Sequence, residues 1–253
     1  MTVQHTWLSA EGIVRRLDDA ERRFELRLPS LTLGPGDRVA IVGPSGSGKT
    51  TALDVLALAS PPDAAASFRL ASHGGPMVDL LDLFARRADT TLASLRARHF
   101  GYILQTHALM PFLTIAENIE VSMRLAGRHE PGRAAMLLRA LDLDIPLRAL
   151  PTALSVGQRQ RVAVARALAH RPSFLIADEP TASLDPASAE RTLQACLDLV
   201  AESGAGMLLV THDRALAEEN GFTILQVDVE RRPGAVVSTV RERSSSARLR
   251  VAP

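Results

Sequence analysis

The chain has 253 residues, 46% of them apolar and 23% charged, which is ordinary globular usage and argues against intrinsic disorder. Its 29 basic residues balance 28 acidic ones, so the basic excess of a general nucleic-acid binder is missing. The single cysteine, Cys196, excludes an internal disulfide and fits a reducing compartment, and no apolar run approaches the ~20 residues that cross a bilayer.

Glu11, Arg15, Arg16, Asp18 and Asp19 stand where a signal peptide needs its apolar core, so a soluble, intracellular protein without an export signal is expected. Phe24, Leu26 and Leu28 alternate with charged residues and predict a half-buried strand. After the turn signal Pro35-Gly36-Asp37, the apolar run 38–42 predicts a buried parallel strand. A glycine-rich loop covers 43–48. A helix is predicted over 50–59, stopped by Ser60-Pro61-Pro62-Asp63. A strand at 68–71, a helix at 89–98 and a strand at 100–104 follow. Helical spacing of Ile115, Ile119 and Met123 predicts a helix over 114–126, with Thr114 and Glu117 forming a capping box. A second helix is expected over 131–141 with proline near its first turn, and a long one from Ser155 to about Ala169. Then come a strand at 174–177, a helix at 186–203 closed by Gly204, and a strand at 207–210. A short helix at 213–220, a strand at 222–227 and a hairpin strand at 235–240 complete the pattern.

Short apolar strands alternating with helices predict an α/β fold with a mainly parallel sheet. Residues 114–150 carry helices and no strand between them, and read as a helical subdomain inserted into the sheet domain. The Arg- and Ser-rich stretch from Arg241 on reads as a frayed tail.

Gly43, Pro44, Ser45, Gly46, Ser47, Gly48, Lys49 and Thr50 fit G-x-x-x-x-G-K-[ST] in full, with Thr51 next. Glycines let the backbone turn its N–H groups inward, and these together with the following helix N-terminus bind phosphate oxygens. Lys49, the only lysine of the chain, can reach the β- and γ-phosphates, and the Thr50 hydroxyl can bind Mg²⁺. By chance the pattern occurs in roughly 1% of chains this long. The strand at 174–177 ends in Asp178 and Glu179. Many strands exit into acids, but beside a phosphate loop Asp178 is placed to hold Mg²⁺ and Glu179 to polarise an attacking water.

Between these motifs lies Leu154-Ser155-Val156-Gly157-Gln158, and after them Ser183-Leu184-Asp185 and Thr211-His212-Asp213. Gln105 follows the strand at 100–104. This ordered set, from about Phe24 to Val227, resembles the ATP-binding subunit of ABC transporters. The resemblance implies a P-loop NTPase with an N-terminal antiparallel β part and a helical subdomain at about 114–170. It makes 1–240 a single ATPase domain, with 241–253 a flexible tail. It implies ATP and Mg²⁺ as cofactors, and head-to-tail dimers in which the signature residues Ser155, Gly157 and Gln158 close over the partner's ATP. In that likeness Gln105 contacts Mg²⁺ and water, Asp185 crosses the dimer interface, and His212 contacts the γ-phosphate. Taken alone, Gln105 would be a solvated glutamine and His212 a structural hydrogen-bonder.

There are two departures from the family pattern. Val156 stands for the first signature glycine, so either the backbone there is ordinary or the contact is altered. The stretch 12–18 lacks the aromatic that the family stacks on adenine; Arg16 could stack instead, or Leu17 pack, and Trp7 lies too far upstream.

The segment 100–119, with Leu92–Arg98 before it, resembles the branch of lipoprotein-release, macrolide-export and cell-division ATPases. That implies an integral membrane permease-type partner, a homodimer in ATP, no nucleic-acid partner, and a place on the cytoplasmic face of the inner membrane. The loop 106–113 is unusually apolar, with Leu109, Met110, Phe112 and Leu113. It is either a self-packed core loop or the groove for a partner's coupling helix. A soluble ATPase without a membrane partner, and a weakly hydrolysing regulatory partner, are the alternatives left open.

Overall fold

The computed structural model describes residues 6–18, 23–71, 75–106, 108–181 and 184–242. Asp19, His107, Ser183 and the tail beyond Glu242 lie outside them; Arg241 and Glu242, assigned to the tail by the sequence, complete the last strand.

β1 (Trp7–Asp18) and β2 (Arg23–Leu33) form an antiparallel ribbon. β1 carries no clean period of two, because its inward set changes phase. Leu8 and Ala10 are buried, then Ile13, with Gly12 between them at φ +61°. β2 changes phase at the same level, from Leu26 and Leu28 to Leu31 and Leu33 on either side of Pro29. A bulge-like step of this kind re-aims every later side chain of the ribbon.

β3 (Arg38–Val42) leads through the glycine loop into α1 (Lys49–Leu56). β4 (Ser67–Ala71) and β5 (Met77–Asp79) extend the ribbon beyond β1. α2 (Leu80–Ala85) is capped by Asp79, and α3 (Asp89–His99) runs directly into β6 (Phe100–Ile103). Three helices follow without a strand: α4 (Ile115–Leu125), α5 (Arg133–Ala140) and α6 (Val156–Ala169). The expected capping box of Thr114 and Glu117 is present at α4. Proline does not enter α5: Gly132, at φ +80°, is its N-cap, and Pro131 precedes the helix. β7 (Phe174–Asp178), α7 (Pro186–Ser203), β8 (Gly206–Thr211), α8 (Arg214–Glu219), β9 (Thr223–Arg232) and β10 (Ala235–Glu242) complete the chain.

The strands make one sheet in the order β5-β4-β1-β2-β10-β9-β3-β8-β7-β6. From β9 to β6 every pairing is parallel. β10 joins the two parts, antiparallel to β9 and parallel to β2. The expected mainly parallel sheet with an antiparallel N-terminal part is therefore observed. Alternate residues of the central strands feed two cores. Ala40, Leu175, Ala177, Met207 and Leu209 face one that includes α4, α5 and α6. Ile41, Phe174, Ile176, Leu208 and Val210 face another that includes α1 and the ribbon. Burial on both faces is why these strands read as continuous apolar runs.

Candidate functional site

Parallel strands align their C-terminal ends, and four of those ends carry the expected chemistry. The glycine loop follows β3, Gln105 follows β6, Asp178 and Glu179 end β7, and His212 follows β8. β3 and β7 flank β8, with Val42 opposite Thr211 and Asp178 opposite Val210. This is where an open α/β sheet builds a ligand site.

The loop turns on Gly46 and Gly48, at φ +71° and +86°. Gly48 is required twice over, since a Cβ there would lie 2.3 Å from Phe24 Cζ. Lys49 is nearly buried and donates to the carbonyls of Gly43 at 2.9 Å and Pro44 at 3.0 Å. Its Nζ lies 3.7 Å from Glu179 Oε1. Thr50 Oγ1 donates to Asp178 Oδ2 at 2.9 Å. Burial holds the Asp178 carboxyl above its ordinary value, helped by the Glu179 charge and opposed by Thr50 and Lys49. Ser45, Gly46, Thr51 and Gln105 line the same cleft of about 350 Å³. Ser47 is buried on the core side of the loop, and Pro44 lies at its exposed surface.

Glu179 has φ +46°, a conformation that few non-glycine residues adopt. Its amide donates to Val210 O at 2.9 Å, which fixes the backbone onto β8. Its Oε2 lies 2.9 Å from His212 Nδ1. The acid is thus held between an ammonium and an imidazole, at the mouth of the cleft. Strain of this kind persists where surrounding contacts over-determine it.

Ser155 caps α6 by a capping box. Its Oγ accepts from Gln158 N at 3.2 Å, and Gln158 Oε1 accepts from Ser155 N at 2.9 Å. Val156 is the first residue of α6 and has no positive φ, so the signature carries a valine on ordinary helical backbone. Leu184 lies close to Gly157, where an added Cβ would approach it to 3.3 Å. Asp185 caps α7, accepting from Ser188 N at 3.1 Å, and hydrogen bonds from the Ser188 side chain and backbone hold its carboxyl below the ordinary value. Ser155, Gly157, Gln158 and Asp185 do not line the cleft of their own chain.

Arg16 is not brought to the cleft either. Its guanidinium is ion-paired to Glu25 at 2.8 Å, on the face of the ribbon opposite to Leu17 and Phe24. Leu17 and Phe24 line the cleft in its place. Strand alternation, set by the phase change at Gly12, decides this.

Two positions escaped the sequence reading. Asp54 lies one turn after Thr50 on α1, where burial and the Asp178 charge push its carboxyl up; the i, i+4 spacing from Thr50 is the signal that would have found it. Gln160 is buried and donates to Pro180 O, tying the signature helix to the loop after Glu179.

A glycine loop between strand and helix, with its lysine beneath and a hydrogen bond from Thr50 at the start of the helix to Asp178 on the next-but-one strand, defines a P-loop nucleotide-binding protein. The ABC transporter family model matches residues 26–182. Lipoprotein-releasing system ATP-binding protein LolD 1 of Rhodospirillum rubrum is 40% identical over 213 residues, covering 80% of this chain and 90% of that protein. Macrolide export ATP-binding/permease protein MacB 1 of Yersinia pestis is 40% identical over 216 residues, 84% of this chain but 32% of that protein. The chain therefore spans about a third of the length of that MacB relative. The dimeric post-hydrolysis structure of the ATP-binding cassette MJ0796 bound to ADP and Pi superimposes with a TM-score of 0.74 at 29% identity. It covers 90% of this chain and 96% of that one. The chain belongs to the ABC transporter family, as an ATP-binding cassette that binds and hydrolyses ATP.

Proposed function

We propose that residues 1–240 act as one ATPase unit that closes head to tail on a second copy around ATP. In this reading it drives an integral membrane permease-type subunit from the cytoplasmic face of the inner membrane. The names of the LolD and MacB relatives, a lipoprotein-releasing system and a macrolide export permease, support the transport setting. No described helix is long and apolar enough to cross a membrane, so any membrane span comes from another chain or segment.

For the chemistry, Lys49 offsets phosphate charge and Glu179 takes up the proton of the attacking water. His212 orients Glu179 and presents its other nitrogen toward the γ-phosphate. Thr50, Asp178 and Gln105 are the groups that would hold Mg²⁺. Their oxygen donors suit a hard cation, and no group of three or more His, Cys, Asp or Glu forms a metal cage among the described residues. When bound, the ion would supply neutralisation of phosphate charge. Ser155, Gly157, Gln158 and Asp185 lie outside the cleft of their own chain, which supports their acting on the nucleotide of the second copy.

The observation that carries the coupling role is the loop after Gln105. Phe112 is 76% exposed, while Leu109 turns inward against the helical core. Asn118, fully buried, holds the loop by accepting from Met110 N at 2.8 Å and donating to the carbonyls of Met110, Leu113 and Thr114 at 3.0 Å. Arg166 of α6 donates to Ala108 O at 2.6 Å. A knob on a braced loop, joined to both Gln105 and the signature helix, is suited to a partner's coupling helix. The test is to tag Glu179→Gln, hold it with ATP, and identify what co-purifies from detergent-solubilised membranes. A permease-type subunit with several spans is expected. Recovery of ribosomes, nucleic acid or soluble proteins alone would overturn the transport reading.

A further inference from the structure

Behind the Thr50–Asp178 hydrogen bond, the interface between α1 and the sheet holds two more polar side chains in apolar surroundings. Alternate residues of β6 and β7 face α1 there. They are Phe100 and Tyr102 on one strand, and Phe174, Ile176 and then Asp178 on the other. Tyr102 pairs with Ile176, so it stands one pleat short of Asp178 on the neighbouring strand. Asp54 follows Thr50 by four residues on α1, which puts it on the same flank of the helix, one turn further on. Tyr102 Oη is buried beside the Asp54 carboxyl without a well-formed hydrogen bond. Leu53, Val55, Phe100, Phe174 and Ile176 are buried in the same core. Among the described residues Asp54 has no ion-pair partner, while Lys49 is taken up by the carbonyls of Gly43 and Pro44 and by Glu179. Burial, then the Asp178 charge, push the Asp54 carboxyl up, and burial is also the largest influence raising Asp178. A second acid beside the first, in an apolar interface and without a cation, is unfavourable to the folded chain. A divalent cation held by Thr50 and Asp178 is the charge that offsets both.

We propose that Asp54 is a positioning residue for the metal site: one turn behind Thr50 and oriented by Tyr102, it sets a second negative charge behind the Thr50–Asp178 pair and raises the affinity for the divalent cation without touching it. This rests on the reading that Thr50 and Asp178 hold Mg²⁺. Groups one layer behind the ligands set metal affinity by about 10- to 100-fold. Two consequences have opposite signs. The Asp54 charge strengthens cation binding, and it weakens the fold while the cation is absent. A residue that served packing alone would do neither, since its loss would weaken the fold and leave the metal unaffected.

The test is the affinity of the protein–ADP complex for Mn²⁺, a paramagnetic stand-in for Mg²⁺, titrated by electron paramagnetic resonance with protein in excess of nucleotide. Asp54→Asn keeps the shape of the side chain and removes its charge. Mn²⁺ affinity should fall about tenfold. ADP affinity measured in EDTA should be unchanged, and the metal-free variant should melt about 2 °C above the parent. Tyr102→Phe keeps the ring and loses the group that orients Asp54. It should cost about threefold in Mn²⁺ affinity in the parent and nothing further in Asp54→Asn, as expected of two residues acting through one effect. If Asp54→Asn does not fold, Tyr102→Phe carries the test, with the same threefold fall expected. Unchanged Mn²⁺ affinity would overturn the proposal. So would a lower melting midpoint, or an equal fall in ADP affinity in EDTA, because either makes Asp54 a support of the loop. Asp178→Asn separates the proposal from the reading beneath it. If the parent complex binds Mn²⁺ no more tightly than Asp178→Asn does, the metal reading itself fails and Asp54 falls with it. If Asp178→Asn loses Mn²⁺ and Asp54→Asn does not, the role of Asp54 alone is wrong.

Discussion

Glu179 Oε2 lies 2.9 Å from His212 Nδ1, and this contact joins the ends of β7 and β8 across the mouth of the cleft. The other Glu179 oxygen faces Lys49 at 3.7 Å. The carboxylate is oriented from both sides, which suits the proposed role of meeting one water in one place.

Glu179→Gln keeps the size and a hydrogen-bonding oxygen for His212 but cannot take up a proton. Turnover should fall by about 10³-fold, within the range typical of a lost general base. ATP binding should survive, and the variant should accumulate as a dimer in ATP. Phosphate release and light scattering with and without ATP check the two parts. Parental turnover would show that another group serves as base.

Lys49→Ala removes the only ammonium near the loop carbonyls of Gly43 and Pro44. A charge-assisted contact to phosphate is worth about 2–3 kcal/mol, so ATP affinity should fall by roughly 50-fold. Calorimetry reads this directly. Unchanged affinity would count against the phosphate loop as the nucleotide site.

The glycine loop and the strand ending in Asp178 and Glu179 were legible because their chemistry is local: composition and spacing alone define them. The ribbon was not. β1 shows no period of two, since Gly12 shifts its phase and Pro29 shifts β2 to match. Without that step, neighbouring Arg16 and Leu17 are equal candidates for the cleft. Sequence reasoning favoured Arg16 for its planar cation, and the fold turns Leu17 inward. Phe24 was seen only as a strand residue, because nothing local reveals that the ribbon lies beside Gly48. Asp54 differs: its spacing from Thr50 is a local signal, but its nearness to Asp178, whose charge adds to burial in raising its carboxyl, comes from the fold. The valine in the signature was an open question that secondary structure answers, since position 156 begins a helix and needs no glycine backbone.

Phe112 and Asn118 separate docking from folding in one loop. Phe112 is 76% exposed, so Phe112→Ser should leave thermal stability within about 1 °C of the parent. Asn118 is fully buried and makes four hydrogen bonds to the same loop. Asn118→Leu leaves Met110 N–H and the Leu113 carbonyl without a partner, while the Met110 and Thr114 carbonyls keep the backbone amides of residues 113 and 118; the cost is about 2–3 kcal/mol, lowering the melting midpoint by roughly 6 °C. Thermal melts of both variants decide it. A large loss from Phe112→Ser would mean that the ring packs within the chain.

His170 ends α6 with Nε2 3.1 Å from Phe100 O and Nδ1 buried without a hydrogen-bond partner. Burial drives its pKa down to about 4, helped by Arg128 and His99 and opposed by the Phe100 carbonyl. His99 is shifted in the same direction, by burial and by the charges of Arg128 and Arg98. The folded state therefore binds fewer protons than the unfolded chain between pH 4 and the ordinary histidine value near 6.5. Stability is full above that ordinary value and is lost as pH falls through the window. From pH 7 to pH 5, His170 alone should remove about 2 kcal/mol of unfolding free energy. His170→Gln keeps a donor for the Phe100 carbonyl and does not titrate, so its stability should fall less over the same range, with the remainder from His99. Urea unfolding of parent and variant at pH 7 and pH 5 measures the difference. Equal slopes would mean that His170 accepts a proton without unfolding, through a partner for Nδ1 that opens to it below neutral pH.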